Sequence, residues 1–305
     1  MKNKKRLLVI GGTGFLGFHL CKDALRKNWI VTSISTNKPK KIRFLNKVKY
    51  IICDISKKKE ILKIKSKFDY VVNFGGHVDH KNKIKTFKSH YVGCKNLADF
   101  FLKKKLDSFI QIGSCVEYGY KISPQDEHSY FTASKLKSYY GKSKLMASNY
   151  LMNLFKNKRF PVTILRLYLV YGPYQDVNRF IPIIIDGCLK NKNFDTSNGK
   201  QERDFLYVKD LTNLIFKVLK NKDTRGEIFN VGSGKPLPIK NIIQQIQNYI
   251  KKGKPNYGKI KLRKDEILKL YPNISKIKKI TNWVPKTNFK IGLNKTIKFY
   301  KSKIF

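Results

Sequence analysis

Tyr140 and Lys144, four positions apart, have the residue types and the spacing of a proton-transfer pair. On a helix the two side chains project from the same face, one turn apart. An ammonium group beside a phenol favours the phenolate, so Lys144 is expected to lower the pKa of Tyr140. Tyr140 could then exchange a proton while a hydroxyl and a carbonyl group interconvert. Tyr139 has Ser143 at the corresponding position, so Tyr140 is the better candidate.

A glycine-rich segment near the start of the chain predicts a site for the phosphates of a dinucleotide. It follows the apolar run 7–10 and has the spacing GxxGxxG. The first glycine permits a sharp turn, the second lets the backbone approach a pyrophosphate, and the third lets the next helix pack closely. The amino terminus of that helix offers N–H donors to phosphate. The predicted contacts are Gly11, Thr13, Gly14, Phe15, Leu16 and Gly17.

Short apolar runs predict the strands of a buried parallel sheet that would position these groups. The runs are 7–10, 30–34, 50–53, 70–74, 109–112 and 162–167. Segments with helical spacing lie between them, which indicates an α/β fold with helices on both faces. We therefore expect a Rossmann-type doubly wound parallel sheet, which binds ligands at the carboxyl ends of its strands.

The pattern changes from Pro173 onward and predicts a smaller C-terminal α/β domain that binds the substrate. Helical stretches such as 241–251 alternate there with loops that contain glycine and proline. The predicted dinucleotide-binding domain spans 1–172, with a return segment at about 204–232, and the substrate domain spans 173–203 and 233–305.

The chain is extremely basic, with 65 Lys and Arg against 20 Asp and Glu and a net charge of +45. Such a charge can indicate binding to nucleic acid or to a membrane surface. Arginine is scarce, however, and the lysines are spread along the chain, with only short runs at 57–59 and 103–105. We favour a compositional drift toward lysine and expect no nucleic-acid partner. The positive field would still attract an anionic substrate.

The five cysteines are odd in number, far apart and without a CxxC pair, which predicts free thiols in a reducing compartment and no metal site. They are Cys21, Cys53, Cys94, Cys115 and Cys188. The apolar run 7–10 is too short for a signal peptide core or a membrane span. We expect a cytoplasmic protein with no membrane partner.

The end of the second predicted strand bears on the choice of cofactor. NAD sites usually place Asp or Glu there, about 20 residues after the glycines. This chain has no carboxylate at 33–38 and instead offers Ser35, Asn37 and Lys38, which suit a 2′-phosphate. Further cations follow at Lys40, Lys41 and Arg43. NADP is therefore the preferred cofactor, with NAD as the alternative.

The chain resembles the extended short-chain dehydrogenase/reductase family, and within it the NAD-dependent epimerase/dehydratase enzymes that act on nucleotide sugars. The resemblance covers essentially all 305 residues. Its motifs are 11–17, Asp54, Ser114 with Tyr118 and Gly119, Tyr140 with Lys144, Arg166 with 171–173, 203–205 with 207, 208 and 210, 230–234, Arg263 and 282–285.

The resemblance implies roles for individual residues. Tyr140 exchanges a proton with the sugar oxygen, Lys144 tunes it and bonds the nicotinamide ribose, and Ser114 holds the reacting oxygen. Arg203 and Arg263 match positions that grip the substrate diphosphate, where a guanidinium bonds phosphate oxygens in pairs. Further substrate and cofactor contacts are predicted at His77, Asp54, Ile55, Phe74, Gly75 and Tyr168. Asp54 could instead be a turn aspartate, and His77 and His80 could be ordinary loop histidines.

Departures from the family pattern bear on the type of reaction. The 4,6-dehydratases carry an Asp-Glu pair directly after the hydroxyl residue, whereas this chain has Cys115 and Val116. Water elimination is therefore not expected. Glu117 comes one place too late, and we interpret it as a loop carboxylate. His90 and Leu169 stand where the family often has asparagine.

Our first functional hypothesis is an NADPH-dependent reductase of a nucleotide-linked 4-keto-6-deoxyhexose, because segment 198–210 resembles CDP-paratose and CDP-abequose synthases. The alternative is a 4-epimerase of the UDP-glucose type with tightly bound NAD. A non-catalytic dinucleotide sensor or RNA-associated protein is disfavoured by the intact Ser114, Tyr140 and Lys144. The family also implies a homodimer formed through helices that include the Tyr140 helix.

Overall fold

A parallel sheet of seven strands forms the centre of the protein, whose computed structural model describes residues 4–127, 134, 136–263 and 266–303. The strands of this sheet and of the smaller sheets are, in chain order, β1 (Arg6–Ile10), β2 (Ile30–Ser35), β3 (Val48–Ile52), β4 (Tyr70–Asn73), β5 (Ser108–Ser114), β6 (Val162–Leu167), β7 (Leu169–Tyr171), β8 (Asn193–Asp195), β9 (Glu202–Tyr207), β10 (Glu227–Val231), β11 (Pro236–Pro238), β12 (Lys254–Asn256) and β13 (Lys269–Leu270). The central sheet has the order β10-β6-β5-β4-β1-β2-β3.

Helices cover both faces of this sheet, and others pack on the smaller sheet described below. They are α1 (Phe15–Arg26), α2 (Lys58–Ile61), α3 (Lys83–Phe87), α4 (Gly93–Leu102), α5 (Tyr139–Lys158), α6 (Phe180–Leu189), α7 (Val208–Lys220), α8 (Ile239–Ile250), α9 (Ser275–Thr281) and α10 (Phe289–Lys301). One apolar core joins the sheet to α1 and α7, and a second joins its other face to α4 and α5. The predicted Rossmann-type fold class is confirmed.

The strand order reverses at β1, which pairs with β2 on one side and with β4 on the other. Leu7, for example, is in register with both Val31 and Tyr70. Because the strands are parallel, the turn after β1, the loop after β4 and the end of β5 lie side by side at one edge. Open α/β sheets bind ligands at such a switch point.

Two strand boundaries differ from the prediction by two residues, because neighbouring strands extend the pairing, and the others agree within one residue. β5 continues to Ser114, two residues past the predicted run, since Ser114 is in register with Leu167 of β6. β3 begins at Val48, opposite Val31 of β2, although the exposed Lys49 interrupts its apolar pattern. Cys53 lies just beyond the end of β3.

A second, smaller sheet is centred on β9, which pairs with β7, β11 and β13. Helices α6, α8 and α10 pack with this sheet around a third apolar core. The helix predicted at 241–251 is α8, which begins two residues earlier, directly after Pro238. The predicted return segment, 204–232, is divided between the two sheets. β9 lies in the small sheet, whereas α7 packs on the central sheet and β10 pairs with β6 within it. The proposed domain boundaries stay a prediction, and their outermost residues lie outside the described ranges.

The described part of the chain has no helix that is both long and apolar enough to cross a membrane. All five cysteines are buried and unpaired. Cys115 follows Ser114 directly and begins a short 3-10 turn that ends at Tyr118.

Candidate active site

The glycine turn connects β1 to α1 and leaves no room for side chains. Gly11 has φ +76°, a left-handed conformation that favours glycine. A Cβ atom at Gly17 would lie 2.3 Å from the carbonyl oxygen of Gly11, so the start of α1 sits directly on the turn. Gly12, which the sequence analysis did not single out, is equally confined, with 2.4 Å between its Cβ position and Ser33 Oγ.

The amino terminus of α1 fits an anionic ligand. Gly14 precedes the helix and provides no side-chain cap. The first N–H groups of α1 therefore remain available as donors beside the positive end of the helix dipole. Thr13, Phe15 and Leu16 are all partly exposed at this point. These predicted residues fit the pyrophosphate of a dinucleotide.

The end of β2 presents polar groups with no carboxylate. The Thr13 amide donates to Ser35 Oγ at 3.4 Å, which links the glycine turn to the end of β2. Asn37 and Lys38 are exposed beside it. No ion pair of Lys38 or Lys41 is found within the described ranges.

Arg43, which the sequence analysis counted among the cations near a 2′-phosphate, is not available for one. Arg43 is 6% exposed, and its guanidinium donates to the Tyr174 carbonyl oxygen at 2.6 and 3.0 Å and to Asp176 at 2.8 Å. Tyr174 in turn packs on Phe18 of α1. Arg43 therefore joins the loop after β2 to the loop after β7.

Asp54 and Ile55 lie after β3, and Phe74 and Gly75 lie after β4. Asp54 accepts hydrogen bonds from the amide and hydroxyl of Ser56 at 2.9 and 2.8 Å, as a turn aspartate does. Ile55 is buried. A Cβ atom at Gly75 would lie 2.7 Å from the Ile10 side chain, so the loop after β4 packs closely on the end of β1.

Ser114, Tyr140 and Lys144 meet at the carboxyl end of β5. Ser114 is the last residue of that strand, and Tyr140 lies in the first turn of α5, which the Ser138 side chain caps. The Ser114 hydroxyl interacts with the Tyr140 phenol. Lys144 Nζ donates to the Ile112 carbonyl oxygen at 2.7 Å and lies 5.9 Å from the centre of the Tyr140 ring. The structure thus brings the three predicted residues together.

The pKa of Tyr140 differs from the prediction. Burial raises the pKa of the Tyr140 phenol to about 12, and the opposing effects of Ser114 and Arg179 do not offset it. Burial also lowers the pKa of Lys144. The expectation that Lys144 lowers the pKa of the phenol is wrong for the protein alone, because loss of water costs the phenolate more than nearby groups return. Tyr140 is therefore protonated at neutral pH.

Two histidines surround the Tyr140 ring. His80 stacks on one face with 3.8 Å between ring centres and 10° between planes. His90 meets the ring at 4.9 Å and 70°. His77 is partly exposed and takes part through its main chain. Its amide donates to Ser89 Oγ at 2.8 Å, and its carbonyl oxygen accepts a hydrogen bond from His90 Nε2 at 3.1 Å.

Glu117 is a buried anchor, and its interpretation as a loop carboxylate was wrong. It accepts hydrogen bonds from the Ser114 amide at 2.8 Å, the Ser148 hydroxyl at 2.7 Å and Arg166 Nε at 2.9 Å. A Cβ atom at Gly113 would lie 2.6 Å from Glu117 Oε1. The spacing of Ser114 and Glu117 is that of a capping box, the sequence signal that could have revealed this role.

Arg203 and Arg263 share one carboxylate, that of Glu266. Arg203 Nη2 makes a short ion pair with Glu266 Oε1, and Arg263 Nη2 lies 3.0 Å from Oε2. Arg203 is largely buried and Arg263 is exposed. The structure brings both predicted arginines together. It adds Glu266, which sequence reasoning missed because the pairing spans 63 residues.

Tyr168 lies in a buried polar network behind the site. Its hydroxyl donates to Gln125 Oε1 at 2.6 Å, and burial raises its pKa. The main-chain oxygen of Gln125 accepts a hydrogen bond from Asn230. Tyr168 was predicted to contact the cofactor, but its hydroxyl is hydrogen-bonded to Gln125 and does not lie at the glycine turn.

The parallel sheet, its glycine turn and the tyrosine–lysine pair at the end of β5 define a dinucleotide-binding enzyme of the α/β class. The chain belongs to the NAD dependent epimerase/dehydratase family, which matches residues 7–232.

Relatives with different activities show similar levels of identity to this chain. It is 26% identical to the human dTDP-D-glucose 4,6-dehydratase, covering 97% of this chain and 90% of the relative. It is 27% identical to CDP-abequose synthase from Salmonella typhimurium, covering 97% and 98%. The solved structure of UDP-glucose 4-epimerase from Thermotoga maritima with UDP-glucose has a TM-score of 0.90 at 20% identity, covering 98% and 100%. The chain is thus a nucleotide-sugar enzyme of this family.

Proposed function

We propose that the protein reduces a nucleotide-linked 4-keto-6-deoxyhexose at C4, with Tyr140 as the proton donor and NADPH as the reductant. The observation that carries the proposal is the meeting of Ser114, Tyr140 and Lys144 at the end of β5, where the pKa of the Tyr140 phenol is raised. A reductase needs a donor at this position, because the carbonyl oxygen must gain a proton as C4 gains a hydride. A nicotinamide cofactor supplies that hydride when bound.

Each group around the phenol has a definite part in this proposal. The Ser114 hydroxyl orients the carbonyl oxygen toward the phenol, and the phenol gives its proton to that oxygen. Lys144, held by the Ile112 carbonyl oxygen at 2.7 Å, stabilises the phenolate that remains. A proton from solvent then restores the phenol. Glu117 keeps Ser114 in place through its main-chain amide.

The residues that follow Ser114 support reduction over dehydration. Cys115 and Val116 occupy the positions of the acid/base pair that the resemblance leads us to expect in a dehydratase. Burial raises the pKa of the Cys115 thiol to about 12, so this group does not replace a carboxylate near neutral pH. Elimination of water would lack its acid and base at these two positions.

The substrate is proposed to bind through its diphosphate at Arg203 and Arg263. Both guanidiniums already converge on one carboxylate, that of Glu266. A diphosphate could take the same donors, because a planar guanidinium binds phosphate and carboxylate in the same geometry. The net charge of +45 would attract such an anion.

NADPH is proposed as the cofactor within an NAD-dependent family. Support comes from the end of β2, where Ser35, Asn37 and the exposed Lys38 stand without a carboxylate. Arg43 does not contribute, since it is bound to Tyr174 and Asp176, and Lys40 pairs with Asp176 at 3.8 Å. Lys38 and Lys41 are the candidates for a 2′-phosphate.

A second candidate is a 4-epimerase that keeps its NAD bound. The observation that favours it is the link from Arg43 to Tyr174 and Asp176. The link joins the loop after β2 to the loop after β7 beside α1, where Phe18 packs on Tyr174, and we propose that it holds a bound dinucleotide in place. An enclosed dinucleotide that returns its hydride within each turnover suits an epimerase, whereas a reductase must exchange its cofactor.

One experiment distinguishes the two candidates. The purified protein is mixed with NADPH and a panel of keto-deoxy nucleotide sugars while the absorbance of the reduced cofactor is followed. A reductase consumes NADPH in proportion to product. An epimerase instead interconverts UDP-glucose and UDP-galactose with no added cofactor and with NAD recovered from the denatured protein.

We also propose a homodimer of a cytoplasmic protein. Support for the dimer comes from exposed apolar side chains beside the Tyr140 helix, Ile84 on α3 and Tyr139 on α5. The division into a dinucleotide-binding and a substrate domain belongs to the same proposal. Sedimentation at several protein concentrations tests the dimer.

A further inference from the structure

The Tyr140 ring is held by two imidazoles from different parts of the chain. His80, in the loop after β4, lies parallel to the ring at 3.8 Å. His90, in a π-helical turn (Lys88–Val92) between α3 and α4, meets the ring edge-to-face at 4.9 Å. The two imidazoles are 5.9 Å apart. Aromatic pairs in stacked and edge-to-face arrangements stabilise each other, so they oppose displacement of the Tyr140 side chain.

His90 is the rigid member of this cluster. It is 6% exposed, and its Nε2 donates to the His77 carbonyl oxygen. A Cβ atom at Gly76 would lie 1.8 Å from the His90 ring, so the ring fills space that only glycine leaves open. The same loop is fixed by the hydrogen bond from the His77 amide to Ser89.

His80 is the exposed member, three residues past that fixed point. Its ring has no hydrogen bond within the described part of the chain and packs against the rings of Tyr140 and His90. The phenol hydroxyl must point toward Ser114 for proton transfer, and a swing of the side chain about χ1 would carry it away. His80, stacked parallel to the ring at 3.8 Å, blocks a swing toward that face.

We propose that His80 is a positioning residue that holds the Tyr140 ring in the orientation that presents its hydroxyl beside Ser114. The inference rests on the proposed role of Tyr140 as proton donor. His80 acts through Tyr140 and takes no part in the proton transfer. What His80 supplies is a flat ring, so another flat ring should replace it.

The kinetic test compares His80→Ala with His80→Phe and with the control Lys81→Ala. Lys81 is an exposed neighbour in the same loop. We expect His80→Ala to lower kcat about tenfold, the effect of losing one aromatic pair, with KM changed less than about twofold. His80→Phe should recover most of kcat, and Lys81→Ala should match the wild type. A raised KM with unchanged kcat would show a substrate contact instead, and failure of phenylalanine to restore kcat would overturn the proposal.

A second measurement does not depend on finding the substrate. In protein with 13C-labelled tyrosine, the Tyr140 signals are assigned by their loss in Tyr140→Phe. His80→Ala should let the side chain sample several χ1 rotamers, seen as averaged Hα–Hβ couplings, whereas His80→Phe and Lys81→Ala should keep the single rotamer of the wild type. A single rotamer in His80→Ala would contradict the positioning role. Loss of the single rotamer in a protein without reductase activity would leave the positioning role intact and refute the proposed function.

Discussion

Glu117 and Arg166 form an ion pair of 2.9 Å in which the glutamate side chain is fully buried and the arginine side chain is 5% exposed. The same carboxylate accepts hydrogen bonds from the Ser114 amide and the Ser148 hydroxyl. It therefore ties the end of β5 to α5 and β6. These connections fix Ser114 relative to the helix that carries Tyr140 and Lys144.

Replacing Glu117 should destabilise the protein strongly. Glu117→Ala leaves the buried Arg166 without its partner, so we expect the free energy of unfolding to fall by about 3–5 kcal/mol. Urea unfolding measures the change. The matched control is Lys190→Ala, which breaks an exposed pair with Asp186 and should cost less than about 1 kcal/mol. Similar losses for the two variants would contradict the anchoring role.

Tyr140→Phe should abolish turnover, because it removes the phenol hydroxyl and keeps the ring. We expect kcat to fall by at least about 10²-fold, the range of general acid catalysis, with dinucleotide binding nearly unchanged. Steady-state kinetics and fluorescence titration measure the two quantities. Tyr139→Phe, which alters the exposed neighbour on the same helix, should behave as the wild type. Substantial residual turnover in the Tyr140 variant would refute the proton-transfer role.

Acid should destabilise the protein in part through His90. Burial and the nearby Lys144 lower the pKa of His90 to about 2, and its Nδ1 is buried with no partner among the described residues. A lowered pKa in the folded state means that this stability is present above the unfolded pKa near 6.5 and is lost as the pH falls toward 2.

The expected slope from His90 is about 1.4 kcal/mol per pH unit below pH 6. Unfolding by urea at pH 7.5, 6 and 5 measures it. His90→Asn should flatten this part of the stability curve, because asparagine gains no proton. If the variant keeps the wild-type pH dependence, His90 is not the group that titrates.

Lys38 should decide between the two nicotinamide cofactors. Lys38→Ala removes an exposed cation at the end of β2, so we expect NADPH to bind about tenfold more weakly while NADH binding changes little. The exposed Lys47, farther along the same connection, provides the control variant Lys47→Ala. Titration of each reduced cofactor measures the dissociation constants. Tighter binding of NADH than NADPH by the wild type would overturn the cofactor proposal.

Arg43 should control how fast a bound dinucleotide leaves. Arg43→Ala breaks the link to Tyr174 and Asp176, and we expect dissociation to become roughly tenfold faster, since the loss of a buried charged contact acts on the dissociation rate. Stopped-flow displacement measures that rate. Arg26→Ala removes an exposed arginine at the end of α1 and should leave the rate unchanged. Equal rates in the wild type and the Arg43 variant would show that the link does not enclose the cofactor.

Local spacing in the sequence was enough to predict the sheet, the glycine turn and the helical pairing of Tyr140 with Lys144. Strand periodicity and tight turns depend on a few neighbouring residues, so they can be inferred without long-range information. The two strand boundaries that differed by two residues, at β3 and β5, depend on pairing with strands elsewhere in the chain.

The sequence by itself therefore determined which elements form and which side chains they present at the edge of the sheet. The tertiary structure alone decided how those side chains are paired and charged. Arg43 meets Tyr174 across 131 residues, Glu117 meets Arg166 across 49, and His80 covers Tyr140. The tertiary structure also decided the pKa of Tyr140, because this pKa depends on how much water the surrounding fold removes from the phenol. Burial and long-range contacts are properties of the packed chain, and no local pattern of residues encodes them.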